Sequence, residues 1–239
     1  MKLLKWEKLP PDLQTNEIKA YYDVLKKKTF SLFLKRAFDI FASLILLLFL
    51  SPVFLMITIA IKINSKGPVF FRQIRVTQYG KRFYIHKFRT MRVGADKESQ
   101  ITVENDNRIT KVGNFLRKFR LDEFPQLLDV LSGNMTFVGT RPEVPKYVDR
   151  YTSEMMATLL LPAGITSEAS IYFKDEASQI KDADDTDRVY VELILPQKMY
   201  YNLKELKAFS FWKDIVTMFK TVFAVLGKNY EGDYGKSNQ

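Results

Sequence analysis

From Ile40 to Ile61 the chain reads IFASLILLLFLSPVFLMITIAI, a stretch without a single charge and of roughly the length that crosses the hydrocarbon core of a bilayer. A helix in a soluble core keeps a polar face. This one is apolar all round, which places it in lipid. Two details argue against a plain span. Ser51-Pro52 sits at the centre, where proline removes a backbone donor and collides with the preceding turn, so a bend is expected. Basic residues flank both ends, Lys35 and Arg36 before and Lys62, Lys66, Arg72 and Arg75 after, and such residues stay on the cytoplasmic side. A re-entrant helix hairpin over residues 35–66 satisfies both details. It enters one leaflet, turns at Ser51-Pro52 and returns, with the Ser51 hydroxyl serving a carbonyl freed by the bend.

The rest of the chain divides around that hairpin into residues 1–34, 67–227 and 228–239. The first segment is basic and lacks the apolar core of a secretory signal. Within it, Asn16 to Lys28 predicts a helix lying either on a membrane surface or in solvent. Residues 67–227 read as a small cytoplasmic domain, and residues 228–239 as a polar tail. PVFFRQIRV (68–76), a turn at Gln78 to Lys81 and RFYIHKFRTM (82–91) predict a β-hairpin. Helices are predicted at Lys111–Arg120, Glu123–Leu131 with a stop at Ser132-Gly133, Arg188–Tyr201 and Ser210–Leu226. The fold class is α+β, mostly helical. The acidic run Asp182 to Asp187 lacks the spaced ligands of a calcium loop and reads as a surface turn.

Composition narrows the chemistry. With no cysteine and one histidine, His86, thiolate and multi-histidine metal centres are excluded, and a reducing compartment fits. An excess of 37 Lys and Arg over 27 Asp and Glu favours phosphate, whether in nucleic acid, an anionic membrane or a phosphorylated substrate. No phosphate-binding glycine motif is present. The basic candidates are Arg72, Arg75, Lys87, Arg89, Arg117, Arg120 and Arg141, since guanidinium groups clamp phosphates bidentately; solvated charge is the alternative for each. His86 reads as a neutral strand residue. Asp122 and Glu123 precede the apolar helix of FRLDEFPQLLDVLSG. With Pro125 in the first turn, Asp122 falls near the N-cap, which favours a capping role. A carboxylate there could also attack phosphorus or hold Mg²⁺.

The apolar hairpin with Ser51-Pro52, then GPVFFRQIR, KFRTM, LRKFRLDEFPQLLDVLSGNMTFVG, RPE and PAGIT, in this order, resembles the bacterial sugar transferases, the monotopic polyprenyl-phosphate phosphoglycosyl transferases. The resemblance runs from about Phe33 to Leu226. It implies a monotopic protein of the bacterial inner membrane, its catalytic domain (67–227) facing the cytoplasm. The implied reaction moves a sugar-1-phosphate from a UDP-sugar to polyprenyl (undecaprenyl) phosphate, initiating polysaccharide or glycoconjugate synthesis. By the resemblance Asp122 is the nucleophile that carries the phosphosugar, and Asp122 and Glu123 hold Mg²⁺. Lys87 and Arg141 neutralise phosphate, with Arg72, Arg75, Arg89 and Arg117 as further substrate-binding candidates. The partners implied are the UDP-sugar, the polyprenyl phosphate and inner-membrane lipid, with no nucleic acid; a homodimer is left open. The chain departs from the family at Thr77 for glycine, Thr140 for proline, and Gly164 to Ser170 for a G-I-T-G segment followed by an aromatic residue and AQV. The alternative to an enzyme is an inactive membrane-anchored basic scaffold or nucleic-acid binder.

Overall fold

The computed structural model describes residues 1–95, 106–174 and 186–234, so most of the acidic run lies outside the described residues. Helix α1, Asn16–Lys26, starts where the Thr15 hydroxyl accepts a hydrogen bond from the Ile18 amide at 3.4 Å. Its Ile18, Tyr21, Tyr22 and Leu25 recur at helical spacing and are buried against Leu159 to Leu161, Leu206 and Phe209. The choice between membrane surface and solvent is therefore replaced by a third arrangement: the domain itself takes the apolar face of α1.

Helix α2 runs from Thr29 to Asn64, with Pro52 inside it. Proline at 52 leaves the Leu48 carbonyl, four residues earlier, without its helical donor. The Ser51 hydroxyl donates to that carbonyl at 2.8 Å, as the sequence led one to expect. The middle of α2 is bare: Leu48 is 73% and Phe49 74% exposed. Its most apolar window has a mean hydropathy of 2.8 and is only 11% buried, so it is not packed in the core of this domain. Both ends are covered. Lys35, Asp39 and Ser43 are buried near the start, and Ile57 and Ile61 near the end.

Strands β1 (Phe70–Val76) and β2 (Arg82–Phe88) pair antiparallel, from Phe70 opposite Phe88 to Val76 opposite Arg82. The turn between them uses left-handed backbone at Tyr79 (φ 58°) and Gly80 (φ 76°). Helix α3, Lys111–Lys118, is capped by the Thr110 hydroxyl, which accepts from the Gly113 amide at 2.9 Å. Helix α4, Gln126–Ser132, stops at Gly133 (φ 85°), the expected terminator. Strand β3, Met135–Val138, pairs in parallel with β4, Ala163–Thr166, an element the sequence reading lacked. A β-carbon on Gly164 would lie 2.2 Å from the Gly139 amide nitrogen, so the segment after β3 tolerates only glycine against it. The altered segment continues into α5, Glu168–Tyr172, capped by the Ser167 hydroxyl. The helix predicted over 188–201 includes a π-turn at Tyr190–Ile194 and extends as α6, Leu195–Lys207, before α7, Phe211–Val225.

Candidate active site

Helix α3 ends at Lys118, and two residues later Arg120 takes left-handed backbone (φ 57°). That reversal feeds a 3₁₀ turn, Leu121–Glu123, closed by hydrogen bonds from the Glu123 amide to Arg120 O (3.3 Å) and from the Phe124 amide to Leu121 O (3.2 Å). The N-cap of α4 is Pro125, with no side-chain cap. The capping role expected of Asp122 is thus corrected: backbone carbonyls occupy the amides that it would have served, and α4 begins three residues later than predicted. Both carboxylates are released for other work.

They are held differently. Glu123, its side chain 12% exposed, accepts from Lys87 Nζ at 2.8 Å and from Arg141 Nη2 at 2.5 Å on Oε1, while Arg141 Nη1 reaches Oε2 at 3.3 Å. Burial opposes its ionisation, but Arg141 and Lys87 outweigh it and hold the carboxyl well below the usual range. Asp122 accepts no hydrogen bond or ion pair among the described residues. Burial and the neighbouring Glu123 charge raise its pKa, against the pull of Lys87, Arg117 and Arg120. One carboxylate is a fixed counter-charge and the other is an unengaged, partly buried base.

The strand period sorts the basic candidates. Phe71 opposes Lys87 and Arg75 opposes Phe83, so Arg75 and Lys87 share one face of the hairpin. Arg75 donates to Pro142 O at 3.0 Å, beside Arg141. Arg72 lies on the other face, donating to His86 Nε2 at 2.5 Å and Tyr84 O at 3.2 Å. Because arginine only donates, His86 Nε2 is an acceptor there and Nδ1–H donates to Asp129 at 2.7 Å, the neutral tautomer. Arg89 is also directed elsewhere. It donates to Ser65 O and Oγ at 2.8 Å and to Lys66 O at 3.0 Å, closing the end of α2. Arg117 and Arg120 both act electrostatically on Asp122.

Five cations, Arg75, Lys87, Arg117, Arg120 and Arg141, therefore act on two carboxylates. These cations outnumber the two carboxylates they act on, which suits a polyanion such as a diphosphate. Among the described residues no group of three metal-ligating side chains exists. Asp122 and the lightly engaged Glu123 Oε2 still fit Mg²⁺, which commonly takes one or two carboxylates and completes its shell with water and substrate phosphate. The sequence reading missed Glu143, which lies beside this cluster. Its signal was its place in RPE directly after Arg141 and Pro142.

The family model described as "Bacterial sugar transferase" matches residues 30–228. The chain is 37% identical over 198 residues to the UDP-N-acetylgalactosamine-undecaprenyl-phosphate N-acetylgalactosaminephosphotransferase of Aeromonas hydrophila, covering 81% of this chain and 44% of that protein. It is 37% identical over 195 residues to the UDP-glucose:undecaprenyl-phosphate glucose-1-phosphate transferase of Escherichia coli (strain K12), covering 80% and 39%. It is 49% identical over 112 residues to the exopolysaccharide production protein PSS of Rhizobium leguminosarum bv. phaseoli, covering 46% and 56%. The match thus spans less than half the length of the first two relatives.

Proposed function

The chain belongs to the bacterial sugar transferase family, and from that premise we propose that it transfers a sugar-1-phosphate from a UDP-sugar to polyprenyl phosphate at the inner membrane. The carrying observation is the division between Asp122 and Glu123. In this reading an Asp122 carboxylate oxygen attacks the β-phosphorus of the donor. The bond from that phosphorus to the bridging oxygen breaks, and UMP leaves with the electron pair. The phosphosugar then rests on Asp122 as an acyl phosphate. An oxygen of polyprenyl phosphate attacks the same phosphorus, the bond to Asp122 breaks, and the carboxylate is restored. Attack favours a carboxylate free of donors, which Asp122 is, whereas Glu123 is clamped by Lys87 and Arg141. Lys87 and Arg141, preset on Glu123, would meet the diphosphate charge without reorganisation. Mg²⁺, held by Asp122 and Glu123 Oε2 with donor oxygens, would supply further neutralisation of that charge.

The re-entrant arrangement is part of the proposal. Arg36 donates to Val130 O at 2.7 Å and Leu131 O at 2.9 Å in α4, while Ile57 clusters with Phe88 and Leu116. Residues 36 and 57 are about 31 Å apart along a straight helix, close to the ~30 Å of hydrocarbon that a full span crosses. One small domain grips both ends, and β2 and α4 are themselves joined by His86 and Asp129. A span would put those ends on opposite faces; a helix that re-emerges on its own side puts both at the cytoplasmic surface. Product of this reaction would feed polysaccharide or glycoconjugate assembly.

The test is UMP release by the detergent-solubilised chain with Mg²⁺, undecaprenyl phosphate and a panel of UDP-sugars. Asp122→Asn is expected to lower turnover by at least about 10³-fold without lowering the melting temperature, since Asp122 holds no fold contact that Asn would lose and its buried charge disfavours the fold. Equal turnover in the variant would refute the nucleophile; silence of the wild type across the panel would favour a scaffold.

A further inference from the structure

The charged cluster continues past Glu123 along three consecutive residues, Arg141, Pro142 and Glu143. Glu143 is buried. Its Oε1 accepts from the Tyr190 hydroxyl at 2.5 Å and stands 3.5 Å from Lys198 Nζ, and Lys198 also donates to the Tyr190 oxygen at 3.0 Å. On the other side Arg75 Nη1 stands 4.0 Å from Glu143 Oε2 and donates to Pro142 O at 3.0 Å. The backbone is pinned as well, the Val76 amide donating to Glu143 O at 2.9 Å. The end of β1 and the helical segment at Tyr190 and Lys198 thus hold one tripeptide between them.

What that grip accomplishes follows from the charges. Arg75 and Arg141 are close enough to disfavour each other's charge, and like charges brought together in a low-dielectric site separate unless an anion lies between them. Glu143 acts on both guanidinium groups. Among the described residues it shares no hydrogen bond or ion pair with Asp122 or Glu123. We propose that Glu143, fixed by Tyr190 and Lys198, is a positioning residue that keeps Arg75 and Arg141 side by side and aims Arg141 at the donor diphosphate. This rests on the transferase reading above.

Tyr190→Phe removes one hydroxyl from this chain of contacts and leaves the ring packed on Tyr147. In UMP-release kinetics on the full chain in detergent, it is expected to raise KM for the UDP-sugar by about tenfold, the weight of one charge-assisted hydrogen bond, with kcat changed less than about twofold. Glu143→Gln should act in the same direction and more strongly. The discriminating measurement is the cycle with Arg141→Ala. If Glu143 works mainly through Arg141, the KM effect of Tyr190→Phe shrinks sharply once Arg141 is gone. An active wild type whose KM ignores Tyr190→Phe, or a KM effect equally large in the Arg141→Ala background, overturns this inference and leaves the transferase reading standing. A wild type that releases no UMP overturns both. A lower melting temperature with unchanged KM in Tyr190→Phe would assign Glu143 to the fold alone.

Discussion

The middle of α2 and the cluster around Glu123 break the same rule in opposite directions. In one, leucine and phenylalanine face outward over several turns, Leu48 and Phe49 nearly three-quarters exposed. In the other, Glu123, Lys87 and Glu143 are drawn inward with side chains 12%, 17% and 8% exposed. Apolar surface normally leaves water, and charge normally stays in it. Each inversion is tolerable only with a suitable partner: an apolar medium such as the proposed lipid for the first, and a counter-charge beside each of those three side chains in the second. The comparison teaches that the two regions fail differently when altered. Damage to α2 should cost location and spare the domain, whereas damage to the cluster should cost stability, substrate affinity or turnover.

The largest test of that difference is Glu123→Gln. It leaves Lys87 and Arg141 facing a neutral amide, and removing one partner of a buried ion pair costs about 3–5 kcal/mol. A melting temperature that falls markedly, against one that is level or raised in Asp122→Asn, would sharpen the division between the two carboxylates; equal losses of stability in both variants would break it. The pH dependence carries a definite sign. Glu123 has a folded pKa below its unfolded value, so its contribution is present above the ordinary carboxylate range and is lost as pH falls through the folded pKa. Asp122 is shifted the other way, so its ionisation disfavours the fold above that range. Denaturant titrations on the acid side should therefore show a shallower loss in Glu123→Gln than in the wild type. If Mg²⁺ binds as proposed, its activation curve should also weaken in that variant, and a normal magnesium titration would remove Glu123 from the metal.

A smaller effect is expected from Leu48→Glu in the bare middle of α2. A charge at mid-membrane depth costs about 2.5–3.5 kcal/mol on insertion scales, enough to shift the chain from the membrane fraction toward solution or detergent. The domain should melt as before, because Leu48 makes no buried contact with it. Unaltered flotation with liposomes would show that this face does not enter lipid. A reporter at residue 1 reached from outside the cell would instead refute the re-entrant path and favour a full span.

How much of this was legible in the sequence depended on the range over which each signal acts. The apolar helix and the β-hairpin declare themselves through continuous local patterns, a charge-free run with proline at its centre and aromatic strands around a turn. The β3–β4 pair did not, because two four-residue strands far apart in the chain carry too few positions to alternate, and parallel pairing depends on the intervening crossover. The site was legible as a list of residues rather than as an arrangement. Asp122-Glu123, Lys87 and Arg141 stand together as the motifs suggested. The N-cap expectation failed because a left-handed Arg120 inserts a 3₁₀ turn, and nothing in FRLDEF announces a positive φ at arginine. Arg89 was diverted by the end of α2, a long-range contact no spacing reveals.

Arg72 is the exception, since its placement could have been read from the strand period and supplies the smallest prediction. Arg72 and Arg75 differ by three in an extended strand, so they must face opposite sides. Once Lys87 is paired with Phe71, Arg75 falls with Lys87 and Arg72 falls away from it. Arg72 stacks over the Tyr84 ring at 5.9 Å on the exposed side, a contact worth about 0.5–1 kcal/mol. Arg72→Ala should therefore lower stability by no more than about that amount and leave KM for the UDP-sugar within about twofold, whereas Arg75→Ala, one register step along the same strand face as Gln73 and Phe71, should raise it. Equal KM effects from the two substitutions would mean that the donor reaches around the hairpin edge, and the cationic cluster would then extend to a face the present geometry assigns to solvent.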